Sequence, residues 1–490
     1  MNQIIVQFNL LNFFSSTALY WIVHILFTLY VIFNGRKNPR SNLIWIMIVN
    51  TIPFLGFILF LMLGKDTRKK KMFSLKQEND DMIEDIARYQ FEQLATGKFD
   101  TNVEDLEKYS QLIKMNLISD NAFYSEDNEV DFYYWGKDKF LALLTDIENA
   151  TKSIDIQYYI FKNDSLGREV IGALMNKAKE GVRVRLLIDD FGSRKLQKKY
   201  RDQLKQAGVE FQSFFSSFLG IINLRLNYRN HRKLVIIDDE IGYLGGFNVG
   251  DEYIGLYKKF GPWRDTHIRI KGTAVVAFKL RFLKDWYYTA GQEPALERDF
   301  DPVTENNGNM AAQVISSGPD TQYQNIKNAM VHMINVAKEA IYIQSPYFIP
   351  DQSMLDAMKM ALLRGVELNI MIPAKADHPP VHWCSMSFVR ELAYKGANIY
   401  AYKNGFMHAK VIFVDDMVST IGTTNLDERS FSLNFETNIV MYDKQVNREL
   451  KKQYDIDISH SQLFRLEDFE NRPWYVKVRE PIARIFAPLM

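Results

Sequence analysis

His231-Arg232-Lys233-Leu234-Val235-Ile236-Ile237-Asp238 reads H-x-K-x4-D, and His408-Ala409-Lys410-Val411-Ile412-Phe413-Val414-Asp415 repeats the pattern 177 residues later. Each copy leads to a turn of small residues and an asparagine at the same offset: Gly245-Gly246-Phe247-Asn248 and Gly422-Thr423-Thr424-Asn425. One such triplet arises readily by chance. Two copies with matching downstream Gly and Asn point instead to a duplicated reaction site.

The runs between Lys and Asp, Leu-Val-Ile-Ile and Val-Ile-Phe-Val, read as buried strands. Side chains alternate along a strand, so His231 and Lys233 are expected on one face, as are His408 and Lys410. An imidazole serves as nucleophile or general acid/base near neutral pH. An ammonium offers a compact positive charge to phosphate oxygens. Two such pairs facing each other make a cationic pocket suited to displacement at phosphorus. One His attacks and the other protonates the leaving alkoxide. Asp238 and Asp415 have the wrong parity to share that face and are expected to brace the site.

A further echo lies downstream. Trp263-Arg264-Asp265-Thr266-His267 and Asn434-Phe435-Glu436-Thr437-Asn438 align on the threonine, matching Asp265 with Glu436. A catalytic His needs a partner on its second ring nitrogen. The sequence order assigns Asp265 to His231 and Glu436 to His408.

The repeat extends upstream. Ile154–Ile160 resembles Ile341–Tyr347, and each is followed by a helical stretch and then by Gly181-Val182 or Gly365-Val366 opening another strand. Strand, helix, Gly-Val, strand is a βαβ signature. The expected fold is α/β: two pseudo-symmetric domains of βαβ layers around mixed sheets. Their spans are 111–290 and 313–490, joined by a Pro- and Asn-rich linker at 291–312.

Residues 13–33 and 43–63 contain no Asp, Glu, Lys or Arg, and both reach membrane-spanning length. They predict two transmembrane helices within a membrane segment 1–75, or a hairpin that dips in without crossing, which Pro53 and Gly56 leave open, with a linker helix in 76–110. Arg36, Lys37 and Arg40 lie between the stretches, and Lys65, Arg68, Lys69, Lys70 and Lys71 follow the second. The larger basic cluster places the catalytic domains in the cytoplasm.

The single cysteine, Cys384, excludes an intrachain disulfide. The histidines outside the motifs show no metal-ligand spacing, so no metal and no cofactor is expected. His378 and His382 flank Pro379-Pro380 and read as loop residues. Sixty basic residues against 59 acidic ones argue against a nucleic-acid partner. Phe211 to Ile222 is dense in apolar residues and suits either a lining for acyl chains or ordinary core. Trp474-Tyr475-Val476 and Pro481 to Phe486 suit either an interfacial segment or a docked terminal helix.

These residues resemble the phospholipase D superfamily and, within it, the bacterial cardiolipin synthases. The likeness rests on both H-x-K-x4-D motifs, on Asn227 to Lys233, on Gly261 to His267, on Thr424 to Phe431 and on Leu433 to Glu436. It implies a reaction in which two phosphatidylglycerol molecules give cardiolipin and glycerol through a phosphatidyl-histidine intermediate. It implies His231 as nucleophile and His408 as acid/base, with Lys233, Lys410, Asn248 and Asn425 on the phosphate oxygens. Its lipid partners are phosphatidylglycerol and cardiolipin in the membrane. The same triplets serve a membrane phospholipase D or another phosphatidyltransferase. A nuclease and a silent membrane scaffold fit less well. Acyl-chain preference, regulation and homo-oligomer formation are not encoded in these patterns.

Overall fold

A computed structural model describes residues 2–35, 39–64, 81–215, 227–291 and 308–490. The middle of the expected linker, the run Phe218 to Ile222 and the basic residues 36–37 and 65–71 lie outside them. The chain forms two compact units.

The smaller unit contains the amino-terminal helices. Helix Asn2–Asn34 is followed by Pro39–Thr51, Pro53–Leu59 and a π-helical turn Phe60–Gly64. The second apolar run is therefore not one helix. Pro53 has no N–H to donate, and Ile52 before it leaves helical geometry at φ −136° and ψ 75°. Val31, Trp45, Val49 and Phe60 form its small core, and Phe27 stacks on Phe57 at 4.0 Å. Leu19, Trp21, Ile25 and Phe33 are exposed. Among the described residues no helix is long and apolar enough to cross a membrane.

The larger unit contains every described strand. β1 (Tyr124–Trp135) precedes a first sheet in which β2 (Ser153–Tyr158), β3 (Arg183–Asp189) and β4 (Glu210–Phe214) run parallel. A two-residue strand β5 (Arg229–Asn230) leads to β6 (Leu234–Ile237), β7 (Ile241–Gly245) and β8 (Trp263–Lys271). These continue the sheet antiparallel from β2 through β6, β7 and β8 to β1. The second half repeats the order. β9 (Met310–Ser317) stands for β1, β10 (Ala340–Gln344), β11 (Glu367–Pro373) and β12 (Asn398–Tyr402) are parallel, and β13 (Phe406–Met407) is the short strand. β14 (Val411–Val414), β15 (Val418–Gly422) and β16 (Asn434–Tyr442) follow antiparallel, and β17 (Ser461–Leu463) adds an edge beside β12.

Helices close the βαβ crossovers as the glycines predict. Asp164 caps helix Ser165–Lys179 by accepting from Gly167 N at 3.2 Å, and Asp351 caps Gln352–Leu363 by accepting from Met354 N at 2.9 Å. Gly181 and Gly365 follow these helices at φ 94° and 82°, a left-handed conformation costly for other residues.

Alternation along β6 shows the layering. Leu234 and Ile236 join Val411, Phe413, Ile421 and Ile439 in a core between the sheets. Val235 and Ile237 face the helix layer with Leu143, Val170 and Leu174. Both faces of β6 are thus covered, which explains its unbroken apolar run. Each such buried aliphatic side chain contributes roughly 1.5–3 kcal/mol.

Three connections stitch the halves together. β1 pairs with β8 and also with β9. β5 runs parallel to the start of β16, matching Arg229 with Asn434 and Asn230 with Phe435. β13 runs parallel to the start of β8, matching Phe406 with Trp263 and Met407 with Arg264.

Candidate active site

The short cross-half strands determine what each histidine meets. His231 follows β5, and its N–H donates to Phe435 O at 3.0 Å. His408 follows β13, and its N–H donates to Arg264 O at 2.7 Å. The next residue on each partner strand is a carboxylate. His231 Nδ1 lies 2.9 and 3.0 Å from the Glu436 oxygens, and His408 Nδ1 lies 2.6 Å from Asp265 Oδ2. The expected pairing is therefore reversed: each half supplies a carboxylate to the other half's histidine. Sequence order misleads here because the contacts run through two-residue bridges between halves.

A carboxylate accepting from Nδ1–H leaves Nε2 as the nitrogen available for chemistry. Both histidines are nearly buried, their side chains retaining 11% and 10% exposure. Burial lowers both histidine pKa values, His408 to about 4, and the neighbouring lysines push the same way against the carboxylates. Lys410 acts on His231 and Lys233 acts on His408, so both pairs share one electrostatic environment. A ring flanks each: Tyr159 lies 5.0 Å from His231 and Trp263 lies 5.0 Å from His408, centroid to centroid.

The lysines sit where the spacing predicts, close to their histidines, although His231 to Lys233 and His408 to Lys410 precede the strands proper. Lys233 Nζ donates to His231 O at 2.6 Å, and Lys410 Nζ donates to His408 O at 2.6 Å. Lys410 Nζ also lies 3.0 Å from His408 Nδ1. Burial lowers Lys233 to about 7 and Lys410 to about 8, with Glu436 and Asp265 opposing. A bound phosphate anion favours their charged form.

The small-residue turns have a local explanation. A Cβ on Gly246 would lie 2.0 Å from the Asp265 carboxylate. The second copy has Thr423 at that place, and its hydroxyl donates to Glu436. Asn434 Nδ2 adds a bond to Glu436 at 3.2 Å. With His231 and Lys233 beside it, these contacts outweigh burial and lower the Glu436 pKa.

The remaining expected residues divide. Asn248 is already engaged: Oδ1 accepts from Ile160 N at 3.0 Å and Nδ2 donates to Tyr253 OH at 3.1 Å. It is a brace in this arrangement rather than a phosphate ligand. Asn425 is buried, and its Oδ1 has no hydrogen-bond partner among the described residues. Asp238 and Asp415 lie at the far ends of β6 and β14. Asp238 accepts from the N–H groups of Thr151, Lys152 and Ser153, and Asp415 from those of Lys338, Glu339 and Ala340. They hold the loops that enter β2 and β10. His378 lies in the bend before helix Pro379–Ala393, at its N-cap position and without a side-chain cap bond, as a loop residue; His382 instead lies inside the helix, because proline at the first helical positions loses no hydrogen bond.

Two buried aspartates escaped the sequence reading. Arg232 pairs with Asp285 and bonds Thr437 Oγ1 at 3.0 Å, while Arg264 pairs with Asp457 at 2.7 Å and bonds Thr266 Oγ1 at 3.1 Å. Gln157 and Asn230 donate to Asp285, and Gln344 donates to Asp457. Each ion pair fixes the strand segment beside one carboxylate. Among the described residues no group of three or more His, Cys, Asp or Glu could hold a metal ion.

Comparison with known proteins places this geometry in context. The family model described as "Cardiolipin synthase, PLD-like domain" matches residues 143–258 and 330–458. One described as "Phospholipase_D-nuclease N-terminal" matches residues 18–65. The chain is 45% identical over 478 residues to the major cardiolipin synthase ClsA of Bacillus subtilis, covering 96% of this chain and 98% of that protein. It is 43% identical over 473 residues to a cardiolipin synthase of Oceanobacillus iheyensis, covering 96% and 98%. The crystal structure of a phosphatidylserine synthase from Haemophilus influenzae shares the fold, with a TM-score of 0.61 at 14% identity over 78% of this chain and all of that one.

Proposed function

The chain belongs to the cardiolipin synthase family of phospholipase D-like proteins, and from that premise we propose that it transfers a phosphatidyl group between two phosphatidylglycerol molecules. The products are cardiolipin and glycerol. The observation that supports this most strongly is the crossed pair of His–carboxylate contacts, with two buried lysines, in one compact unit.

In this reading His231 Nε2 attacks the phosphorus of the first lipid. The P–O bond to the headgroup glycerol breaks, and His408 donates the proton that glycerol takes away. Burial and Lys410 hold His408 low. The negative charge of the lipid phosphate raises it toward the range of a useful acid. The terminal hydroxyl of the second lipid then gives its proton to His408 and forms a new P–O bond as the P–N bond breaks. One phosphodiester replaces another, so no external energy source is needed. Glu436 orients His231 and stabilises its positive charge, and Asp265 does the same for His408. Lys233 and Lys410 offset charge on the phosphate oxygens.

The repeated strand order supports a partition into two halves near 111–290 and 313–490, although β9 already begins at Met310, inside the expected linker 291–312. We assign residues 1–75 to membrane attachment through the two uncharged runs, the second of which is interrupted at Pro53, with the catalytic unit cytoplasmic. The two uncharged runs and the match of residues 18–65 to the family's amino-terminal model support this.

Purified protein given labelled phosphatidylglycerol alone should form cardiolipin and free glycerol in equal amounts. Phosphatidic acid as the main product would instead assign a phospholipase D.

A further inference from the structure

The helix Trp474–Ile485 near the carboxyl end has two unlike faces. Val476, Glu480 and Ala483 are buried, and Arg479 and Arg484 lie over the rings of Trp383 and Phe388 at 4.9 and 4.2 Å. The other face is an apolar stripe: Trp474, Val478, Ile482 and Ile485 are 77%, 49%, 52% and 54% exposed. At the helical turn per residue these four fall within about 80° of arc, opposite the buried three. Tyr475, beside Trp474, is exposed as well. Of the helix's charged residues only Lys477 is exposed, since Glu480 is buried and pairs with Arg472 and Arg390. Packing on the rest of the chain thus accounts for one face, and the other presents apolar groups to the outside.

The stripe stands in a definite relation to the reaction site. The contacts with Trp383 and Phe388 are spaced alike on both helices, so Trp474–Ile485 runs in the same direction as Pro379–Ala393. Its Trp474 end therefore lies toward the start of that helix. There Asp377 accepts from Tyr347 OH, and the next residue, Phe348, bridges to Leu426, the neighbour of Asn425. On the first half, Lys195, Lys198 and Lys199 are exposed in the segment after β3. Asp189, which closes β3, accepts from Asn230 N at 2.9 Å, one residue before His231. Both features stand at the carboxyl ends of the parallel strands, the edge that carries the two histidines.

An exposed apolar stripe of this kind marks a contact surface. Trp and Tyr rings at one end and a lysine on the flank suit the headgroup level of a bilayer, and the lysines after β3 suit its negative charge. A helix of this length, about 18 Å, is too short to span the hydrocarbon core. We propose that Trp474, Val478, Ile482 and Ile485 lie in the interface of an anionic phospholipid bilayer and hold the catalytic edge at headgroup depth. This assignment rests on the proposed lipid reaction, and it gives the catalytic unit a membrane contact of its own, separate from residues 1–75.

The test uses the full chain in vesicles of phosphatidylglycerol and phosphatidylcholine, with an environment-sensitive fluorophore on Ile482→Cys. Cys384 is buried, so background labelling is small. Lipids brominated high on the acyl chains should quench this probe, and more strongly as the phosphatidylglycerol content rises. The same probe on Ile456→Cys, exposed beside Asp415 at the opposite end of β14 from His408, should stay unquenched. Ile482→Ser should raise the phosphatidylglycerol fraction that gives half-maximal rate roughly fivefold with kcat unchanged. On monomeric dihexanoyl phosphatidylglycerol, where no interface takes part, Ile482→Ser and wild type should be equal. An unquenched Ile482 probe would overturn the docking, and quenching indifferent to phosphatidylglycerol content would overturn its anionic character. Shielding that appears in detergent without lipid and grows with protein concentration would assign the face to a second copy instead. Quenching without any cardiolipin formed would remove the proposed reaction while leaving the docking in place.

Discussion

Nδ1 of His231 lies 2.9 Å from Oε1 of Glu436, a residue 205 positions further along the chain. The reciprocal contact joins His408 to Asp265, 143 positions back. Neither half contains a complete histidine–carboxylate pair. This crossing determines which step each carboxylate variant should impair.

Glu436→Gln should impair attack by His231, and Asp265→Asn should impair proton delivery by His408. Each should lower kcat by about 10²–10⁴. A donor whose leaving group needs no proton separates the two. Asp265→Asn should still accumulate the phosphatidyl adduct on His231, whereas Glu436→Gln should not. Mapping the adduct by mass spectrometry after mild quenching decides it, and the opposite pattern would restore the pairing that sequence order suggests.

The pH dependence should be asymmetric. His231 is lowered by burial, so it stays unprotonated at neutral pH and the acid limb falls below the ordinary value of about 6.5. Lys233 at about 7 and Lys410 at about 8 lose charge as pH rises, weakening capture of an anionic lipid. A bound phosphate keeps them protonated. kcat/KM should therefore decline from about pH 7 upward while kcat holds to higher pH. Coincident alkaline limbs would contradict this account of the lysines.

Lys233→Met should abolish turnover yet stabilise the fold in acid. The lysine's pKa is about 7 when folded and about 10.4 when unfolded. Below pH 7 both states bind the proton and the folded state bears the full burial cost. Between pH 7 and 10.4 the unfolded state binds more protons, so this group makes stability rise with pH. The variant's melting temperature at pH 6 should exceed wild type by roughly 2 °C or more, narrowing by pH 10. Calorimetry would decide, and a lower melting temperature at pH 6 would count against it.

Asp238→Ala should act on stability rather than chemistry. It removes the acceptor for three backbone N–H groups and the Thr151 hydroxyl, and places alanine at φ 53°. A loss of about 1–3 kcal/mol is expected. Asp238→Asn should recover part of it, since asparagine tolerates that φ. Denaturant titration beside kcat measured on folded protein tests both; a large fall in kcat with unchanged stability would give Asp238 a direct part in the reaction.

Much of the layered α/β fold was legible in the sequence, because duplication reveals itself twice. Strands β6 and β14, the crossover helices and their glycine ends all followed from periodicity. The crossed pairing did not, because β5 and β13 are two residues long and a periodicity reading cannot detect them. Asp285 and Asp457 stayed hidden because they lie 172 residues apart, not 177, outside any motif. The contact between Asn248 and Tyr253 stayed hidden because Tyr253 carries no signal in the repeat. Pro379-Pro380 was read as a helix breaker, although proline disrupts a helix interior and suits its first turn.

The crossing also sets when, during synthesis, the protein can first act on lipid. A growing chain that has left the ribosome only as far as residue 430 carries His231 without Glu436, and β5 without its neighbour β16. Such a chain holds a phosphate-seeking histidine that nothing orients. Early termination or proteolytic clipping after the first half should leave inert fragments instead of an uncontrolled lipase at the membrane. In the same way, an isolated first half should hydrolyse no phosphodiester, and mixing it with a separately produced second half should restore activity only as the two strand bridges form.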